Sequence, residues 1–387
     1  MNQTKAKIKV AVLYGGRSGE HEVSLQSAAS VVKHLDAEQF EIVPVGIDKE
    51  GRWHLNDIKQ IANEGALKAL PLKTKSSELL PSPTNISNQT VKNVQQQNAQ
   101  HKLFDVAFPV MHGTLCEDGT LQGLLELADV PYVGAGVLAS AVAMDKDVSK
   151  RLISGAGIKT SPFTTIKRGA WDTNPDRCLQ WITREFDYPV FVKPANTGSS
   201  VGIQKVKRAE DLAAAINEAF LYDTKILIEK ALNVRELELS VLENPNYGKP
   251  PLVSVAGEVA PNHEFYSYEA KYLDEKGANL LIPAPIPAAT MQAAQAMAAQ
   301  VFELLECEGM ARIDLFMDKA TGELYFNEAN TLPGFTSISM YPKLWEASGL
   351  AYPQLLSRLV ELAIARHQRK QNLKRDWALP AVANSVD

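Results

Sequence analysis

The chain has 387 residues, 45% hydrophobic and 22% charged, with 40 basic against 45 acidic side chains and a formal net charge of −5. That length asks for two or three domains with full cores, and an acidic balance without a basic stripe excludes nucleic acid as a partner. Three widely spaced cysteines, Cys116, Cys178 and Cys307, exclude a disulfide framework or zinc site and fit a cytoplasmic setting, while the apolar run at the N-terminus is too short for a signal core or a membrane span.

In chain order, "KIKVAVLYGG" predicts a buried strand, "EVSLQSAASVVKHL" a helix and "FEIVPVGID" a second strand, a Rossmann-like βαβ opening with a glycine turn. A further strand is expected at 103–111 and a helix at 120–129. Between the second and third strands, residues 73–102 are rich in Asn, Gln, Ser and Lys and read as an exposed insertion. From about 139 a long helix should run up to "SGAGI". "TSPFTTI" then opens a second unit with strands "YPVFVKP", "VGIQKV", "ILIEKAL" and "RELELSVLE" and a helix near 209–222. A third unit starts near 250 with the strand "LVSVAGEVA", an irregular aromatic stretch at 261–283, an Ala-rich helix at 288–307, two strands and a helix. The domains expected are 1–138, 139–249 and 250–366, followed by a polar tail at 367–387.

Two stretches carry chemistry. "VKPANTGSSVGI" (192–203) sets small residues between two strands, with Lys193 at their root. It is not the G-x-x-x-x-G-K-[ST] loop, which is absent; it reads as a hairpin flap whose backbone N–H groups and hydroxyls could gather around an anion. Taken alone, it reads equally as a solvated loop. "GMARIDLFMDKATGELYFNEANTLPG" (309–334) reads as a hairpin with the three-residue loop Ala320-Thr321-Gly322, glycine taking the left-handed position. That register sets Asp314 opposite Glu328, Arg312 opposite Asn330 and Phe316 opposite Phe326, all on one face. Two carboxylates and an amide side by side are hard oxygen donors suited to Mg²⁺. Directly opposed acids repel unless a cation lies between them, which favours this reading over a surface charge cluster.

A flap on one unit and a metal edge on another resemble the ATP-grasp fold, in which two α+β units hold ATP between them. The strings "GGRSGEHEVS", "HGTLCEDGTLQG", "MDKDVSK", "VKPANTGSSVGI", "YEAKY", "ARIDLF" and "NEANTLPGFTSISMYP" follow one another in an order that resembles the D-alanine–D-alanine ligase family over about residues 8–365. The resemblance implies a three-domain α/β and α+β architecture, ATP with two Mg²⁺ or Mn²⁺ ions, D-alanine as substrate, a homodimer, and peptidoglycan-precursor synthesis through an acyl phosphate. It implies that Glu20 anchors the first substrate's ammonium and joins Ser199 and Tyr272 in a hydrogen-bonded trio. Lys146 and Lys193 would meet the α- and β-phosphates and Lys271 the γ-phosphate, with Ser200 in the flap. Glu229, Lys230, Ala231 and Leu232 would form the adenine linker and Glu236 would hold the ribose, with Phe326 and Asn327 also at ATP. Arg312 would steady the developing oxyanion. Ser339 and Met340, shaped by the turn at Gly334, would hold the second substrate's carboxylate, and His112 would border the first-substrate pocket. Asp314, Glu328 and Asn330 would hold metal.

Plainer readings stand beside these: Glu20 as a first-turn helix glutamate, His112 as a turn histidine, Tyr272 as a packed loop tyrosine, the lysines as solvated charges. Cys116 departs from the glycine of many relatives, so its turn is expected to differ locally. Residues 261–283 suit a lid over ATP. Within the family, D-lactate or D-serine could replace the second D-alanine, and Tyr272 leans toward D-alanine. A nicotinamide dehydrogenase is disfavoured because "LYGGRSGE" lacks G-x-G-x-x-G. A non-catalytic amino-acid-binding regulator is disfavoured by the intact set Lys193, Arg312, Asp314, Glu328 and Asn330.

Overall fold

The computed structural model describes residues 6–56, 103–261 and 278–374, so the expected insertion at 73–102 and the core of the expected lid lie outside the described residues. Strands β1 (Ile8–Gly15), β2 (Phe40–Ile47), β3 (Trp53–Leu55) and β4 (Val106–Pro109) form a sheet of order β3-β2-β1-β4. β1 runs parallel to both β2 and β4, and β3 closes the edge antiparallel. The continuous apolar run of β1 has a simple cause: both faces are covered. Val10, Val12 and Tyr14 pack with helix α1 (His21–His34) and a long C-terminal helix, while Ala11 and Leu13 pack with α2 (Thr120–Leu127).

A second, antiparallel sheet has the order β5 (Phe163–Lys167), β8 (Lys225–Lys230), β6 (Val190–Pro194), β7 (Gln204–Val206). Of "VGIQKV", only the last three residues are strand; Val201–Ile203 belong to the flap turn. The third sheet, also antiparallel, has the order β11 (Ala278–Leu281), β10 (Leu252–Pro261), β9 (Val234–Leu242), β12 (Met310–Asp318), β13 (Leu324–Asn330). "RELELSVLE", grouped by the sequence reading with the second unit, is β9, the centre of this third sheet. Its alternation shows which face is buried but says nothing of which strands flank it.

The long helix expected from about 139 is two helices, α3 (Val137–Met144) and α4 (Lys146–Gly155). Asp145 breaks it with an extended backbone (ψ 99°), and its carboxylate caps α4 by accepting from the Asp147 and Val148 amides. Two helices over 168–185 went unseen in the sequence. The last helix among the described residues, α5 (Tyr352–Gln371), runs into the expected tail. Arg369–Glu243 (2.9 Å) and Lys370–Glu126 (2.7 Å) ion pairs fasten that extension.

Candidate active site

The turn after β1 sets the first group in place. Gly15 and Gly16 have φ of +88° and +100°, and a side chain at Gly15 would strike the Ile47 carbonyl at 2.2 Å. The chain therefore swings directly into α1, with Glu20 at its N-cap. The Glu20 carboxylate does not cap the helix; it accepts a hydrogen bond from Ser199 Oγ in the flap. Two glycines make room for it: a Cβ on Gly113 would lie 2.6 Å from Glu20 Oε2, and one on Gly198 2.9 Å. Glu20 is buried, and its charge is felt by His112 and Glu117. His112 meets Ser27 Oγ (3.1 Å), the Leu332 carbonyl (3.2 Å) and Glu117 (3.7 Å), tying the first sheet to the loop after β13. Burial opposes its protonation, but the Glu117 and Glu20 charges outweigh that and raise its pKa above the ordinary imidazole value. Burial and the Glu20 charge likewise raise Glu117. Cys116 carries no glycine-only angle: the left-handed residues of its turn are Gly113 (φ 78°) and Leu115 (φ 72°), and the Leu115 amide donates to Asp118.

The flap closes in a turn from Gly198 to Val201, with Val201 N donating to Gly198 O at 3.0 Å. Both central residues, Ser199 (φ 49°) and Ser200 (φ 61°), are left-handed, a conformation that costs a non-glycine residue energy and is sustained by its surroundings. Ser199 thereby faces Glu20, while Ser200 lines a cleft of about 410 Å³ between the second and third sheets. Lys146, Lys193, Glu229, Lys230, Leu232, Glu236, Arg312, Asp314, Asn327 and Glu328 line the same cleft. Lys146 Nζ donates to the Thr197 carbonyl (2.6 Å) and lies 3.7 Å from Glu328, bridging flap and acid edge. Ala231, between the cleft-lining Lys230 and Leu232, donates its amide to Pro189 O.

On the opposite wall, Asp314 does face Glu328, and Arg312 faces Asn330. Phe316, however, pairs with Tyr325, not with Phe326. Two offsets cancel. The hairpin loop has four residues, Asp318 N donating to Glu323 O, one more than expected. A bulge between Asp314 and Leu315 then absorbs one residue of β13, Asn327, restoring the register above it. The bulge turns Asn327 toward the cleft and sends Phe326 into the core with Ile313 and Leu315, so Phe326 brings no side chain to the cleft. Gly322 is left-handed (φ 73°), as the loop requires. Arg312 forks onto Asp314 (2.7 Å for both contacts) and reaches Glu238 at 3.0 Å; Asn330 Nδ2 donates to Asp314 at 3.0 Å. Glu238, which sequence reasoning missed, faces Asp314 across β9–β12. Its period-two spacing from Glu236 was the available signal.

Ser339 begins the helix Met340–Ala347 and accepts from Thr336 N (2.9 Å); a Cβ on Gly334 would meet Ser339 Oγ at 2.7 Å. The Met340 side chain packs with Val259 and Leu344. The Glu229 carboxylate meets two lysines: Lys193 (2.6 Å) and Lys150 (2.8 Å). Burial opposes its ionisation, but the two ammoniums hold its pKa down at about 2. Lys150 was also missed from sequence. Lys271 and Tyr272 lie outside the described residues.

The D-ala D-ala ligase N-terminus family matches residues 9–135 and the D-ala D-ala ligase C-terminus family residues 152–361. The chain is similar to D-alanine–D-alanine ligase A of Bradyrhizobium diazoefficiens, 52% identical over 374 residues that cover 96% of this chain and 99% of the relative. It is also similar to D-alanine–D-alanine ligase of Caldicellulosiruptor bescii, 49% identical and covering 95% and 98% of the two chains. Among solved structures, the D-Ala:D-Ser ligase from Enterococcus faecalis aligns with a TM-score of 0.75 at 35% identity, covering 92% of this chain and 100% of that one. The D-alanine–D-alanine ligase from Coxiella burnetii aligns with a TM-score of 0.72 at 34% identity, covering 95% and 97%. With both family regions matched and relatives near half identical along almost the full length, this chain belongs to the D-alanine–D-alanine ligase family.

Proposed function

We propose that this protein uses ATP to join two D-alanine molecules into D-alanyl-D-alanine, a step of peptidoglycan-precursor synthesis. The observation that carries the reading is the flap: one serine reaches the buried Glu20 carboxylate while the next lines the lysine-walled cleft. An amino acid held at Glu20 by its ammonium would thus lie beside a nucleotide in the cleft. The first D-alanine's carboxylate oxygen takes the γ-phosphoryl group and ADP leaves. The second D-alanine's amine, having lost a proton, attacks the acyl carbon, and inorganic phosphate departs from the tetrahedral centre. Lys146 and Lys193, with Lys271, meet the phosphates, and the Arg312 fork stabilises the oxyanion. The backbone at Ser339 and Met340 opens a helix, where N–H groups favour the second substrate's carboxylate.

Among the described residues no group of three His, Cys, Asp or Glu is arranged for a metal. The pair Asp314 and Glu328 with the Asn330 amide still suits Mg²⁺ or Mn²⁺, ions that take one or two carboxylates and complete their shell with phosphate and water. These three residues would hold the ions, which supply neutralising charge to the phosphates. We further read the protein as a cytoplasmic homodimer; no described helix is long and apolar enough to cross a membrane.

The test is phosphate release from ATP with D-alanine, then L-alanine, as sole amino acid. Release with D-alanine alone, and a dipeptide product, is expected. Equal release with both, or none, overturns the reading. A competition product dominated by D-lactate or D-serine adducts would replace D-alanine as acceptor.

A further inference from the structure

Lys150 sits on α4 one turn beyond Lys146, fully buried, and does not line the cleft. Its ammonium lies 2.8 Å from Glu229 Oε1, while Lys193 lies 2.6 Å from the other oxygen of the same carboxylate. Glu229 is itself 1% exposed. Of the two lysines only Lys193 lines the cleft, its Nζ 5.4 Å above the Phe191 ring. Burial lowers the Lys150 pKa and the Glu229 charge works against that; with both lysines protonated, two cations and one anion carry a net charge of +1. Without Lys150, the Lys193–Glu229 pair alone would be neutral, and a phosphate arriving at Lys193 would meet a buried carboxylate immediately behind it.

We propose that Lys150 is a positioning residue for the nucleotide: by neutralising Glu229 from behind, it leaves the Lys193 charge available to phosphate. Lys150 touches no substrate. The proposal rests on the reading of Lys193 as a phosphate ligand. An ammonium has three donors, so Lys193 can keep its contact with Glu229 and still donate into the cleft. Glu229 then acts as a fixed seat for Lys193, not as a competitor of the phosphate.

The experiment is a set of variants with KM measured separately for ATP and for D-alanine, each checked by thermal melting. Lys150→Met keeps the volume and removes the charge. One uncompensated charge about 6 Å from a phosphate, at an effective dielectric near 20, corresponds to roughly 100-fold in binding. ATP KM should therefore rise about 10- to 100-fold, with kcat and D-alanine KM within about threefold of the starting protein. Removing the carboxylate charge as well should reverse this: Lys150→Met/Glu229→Gln should bind ATP more tightly than Lys150→Met alone. A merely structural lysine predicts the opposite, a double variant no better than the single. Unchanged ATP KM in folded Lys150→Met, or no recovery in the double variant, overturns the proposal. Should Lys150→Met fail to fold, Lys150→Gln, which also removes the charge but keeps a donor for Glu229, takes its place with the same expected rise, and an unchanged ATP KM in it overturns the proposal. Lys193→Met separates the two readings: if it leaves ATP KM unchanged, the assignment of Lys193 to phosphate fails, whatever Lys150 does.

Discussion

Replacing Arg312 by methionine separates chemistry from stability at one residue. Its guanidinium makes two 2.7 Å contacts with Asp314 and lies 3.0 Å from Glu238, with only 18% of the side chain exposed. As the oxyanion donor, its loss should lower kcat by about 100- to 1,000-fold, roughly 3–4 kcal/mol of transition-state stabilisation. The same change takes from Asp314 and Glu238, which face one another across β9–β12, the guanidinium that both contact. Breaking a buried pair costs about 3–5 kcal/mol, and the residual exposure here argues for the lower end. At about 2–4 °C per kcal/mol for a domain of this class, Tm should fall by roughly 6–12 °C. Arg312→Lys is the comparator. It keeps a cation between the acids and so should recover most of the lost Tm, yet it lacks the planar fork and should recover little turnover. The assay is steady-state phosphate release at saturating ATP and D-alanine, well below each variant's Tm. A folded Arg312→Met protein whose kcat stays within about threefold of the original would refute the reasoning.

The cradle around Glu20 gives a second expectation. Gly113→Ala must place a Cβ 2.6 Å from Glu20 Oε2 at a φ of +78°, which costs about 1–2 kcal/mol and displaces the carboxylate. Gly198→Ala meets the same oxygen at 2.9 Å without a left-handed backbone, so it should spare stability. Both should raise the D-alanine KM by about tenfold or more; unchanged values would detach Glu20 from the substrate. The third concerns acid. Glu229 has its pKa depressed to about 2 from 4.5, so its contribution is present above the unfolded value and is lost as pH falls through the folded one. That contribution is on the order of 3 kcal/mol. Urea midpoints measured from pH 6 down to 3 should decline, and decline less steeply in Glu229→Gln; parallel slopes would contradict the assignment.

Much of this site was readable from residue order and alternation. The β1 run, the glycine turn ahead of Glu20, the flap between β6 and β7, and the facing of Asp314 with Glu328 all follow from local periodicity, because side-chain direction repeats every two residues along a strand. Even so, the register was right for an incomplete reason: a longer loop and a bulge at Asn327 offset one another, and Phe326 went to the core while Asn327 reached the cleft. Neither deviation leaves a mark in the string, since a bulge depends on what presses on the strand; here the Phe326 amide donates to the Lys159 carbonyl of another segment.

What the string determined by itself was the kind of groups present and which of them share a strand face. What only tertiary structure decided was their company. β9 parted from β8, the strand before it, to carry Glu238 beside Asp314 and Arg312. Two glycines, 85 residues apart, closed around one carboxylate of a third segment. Glu229, on the cleft wall, shares its charge between Lys193 and a lysine no motif had singled out. Strand pairing and buried charge pairing are long-range: they are settled by which surfaces the folded chain brings together, and local pattern carries no record of that choice.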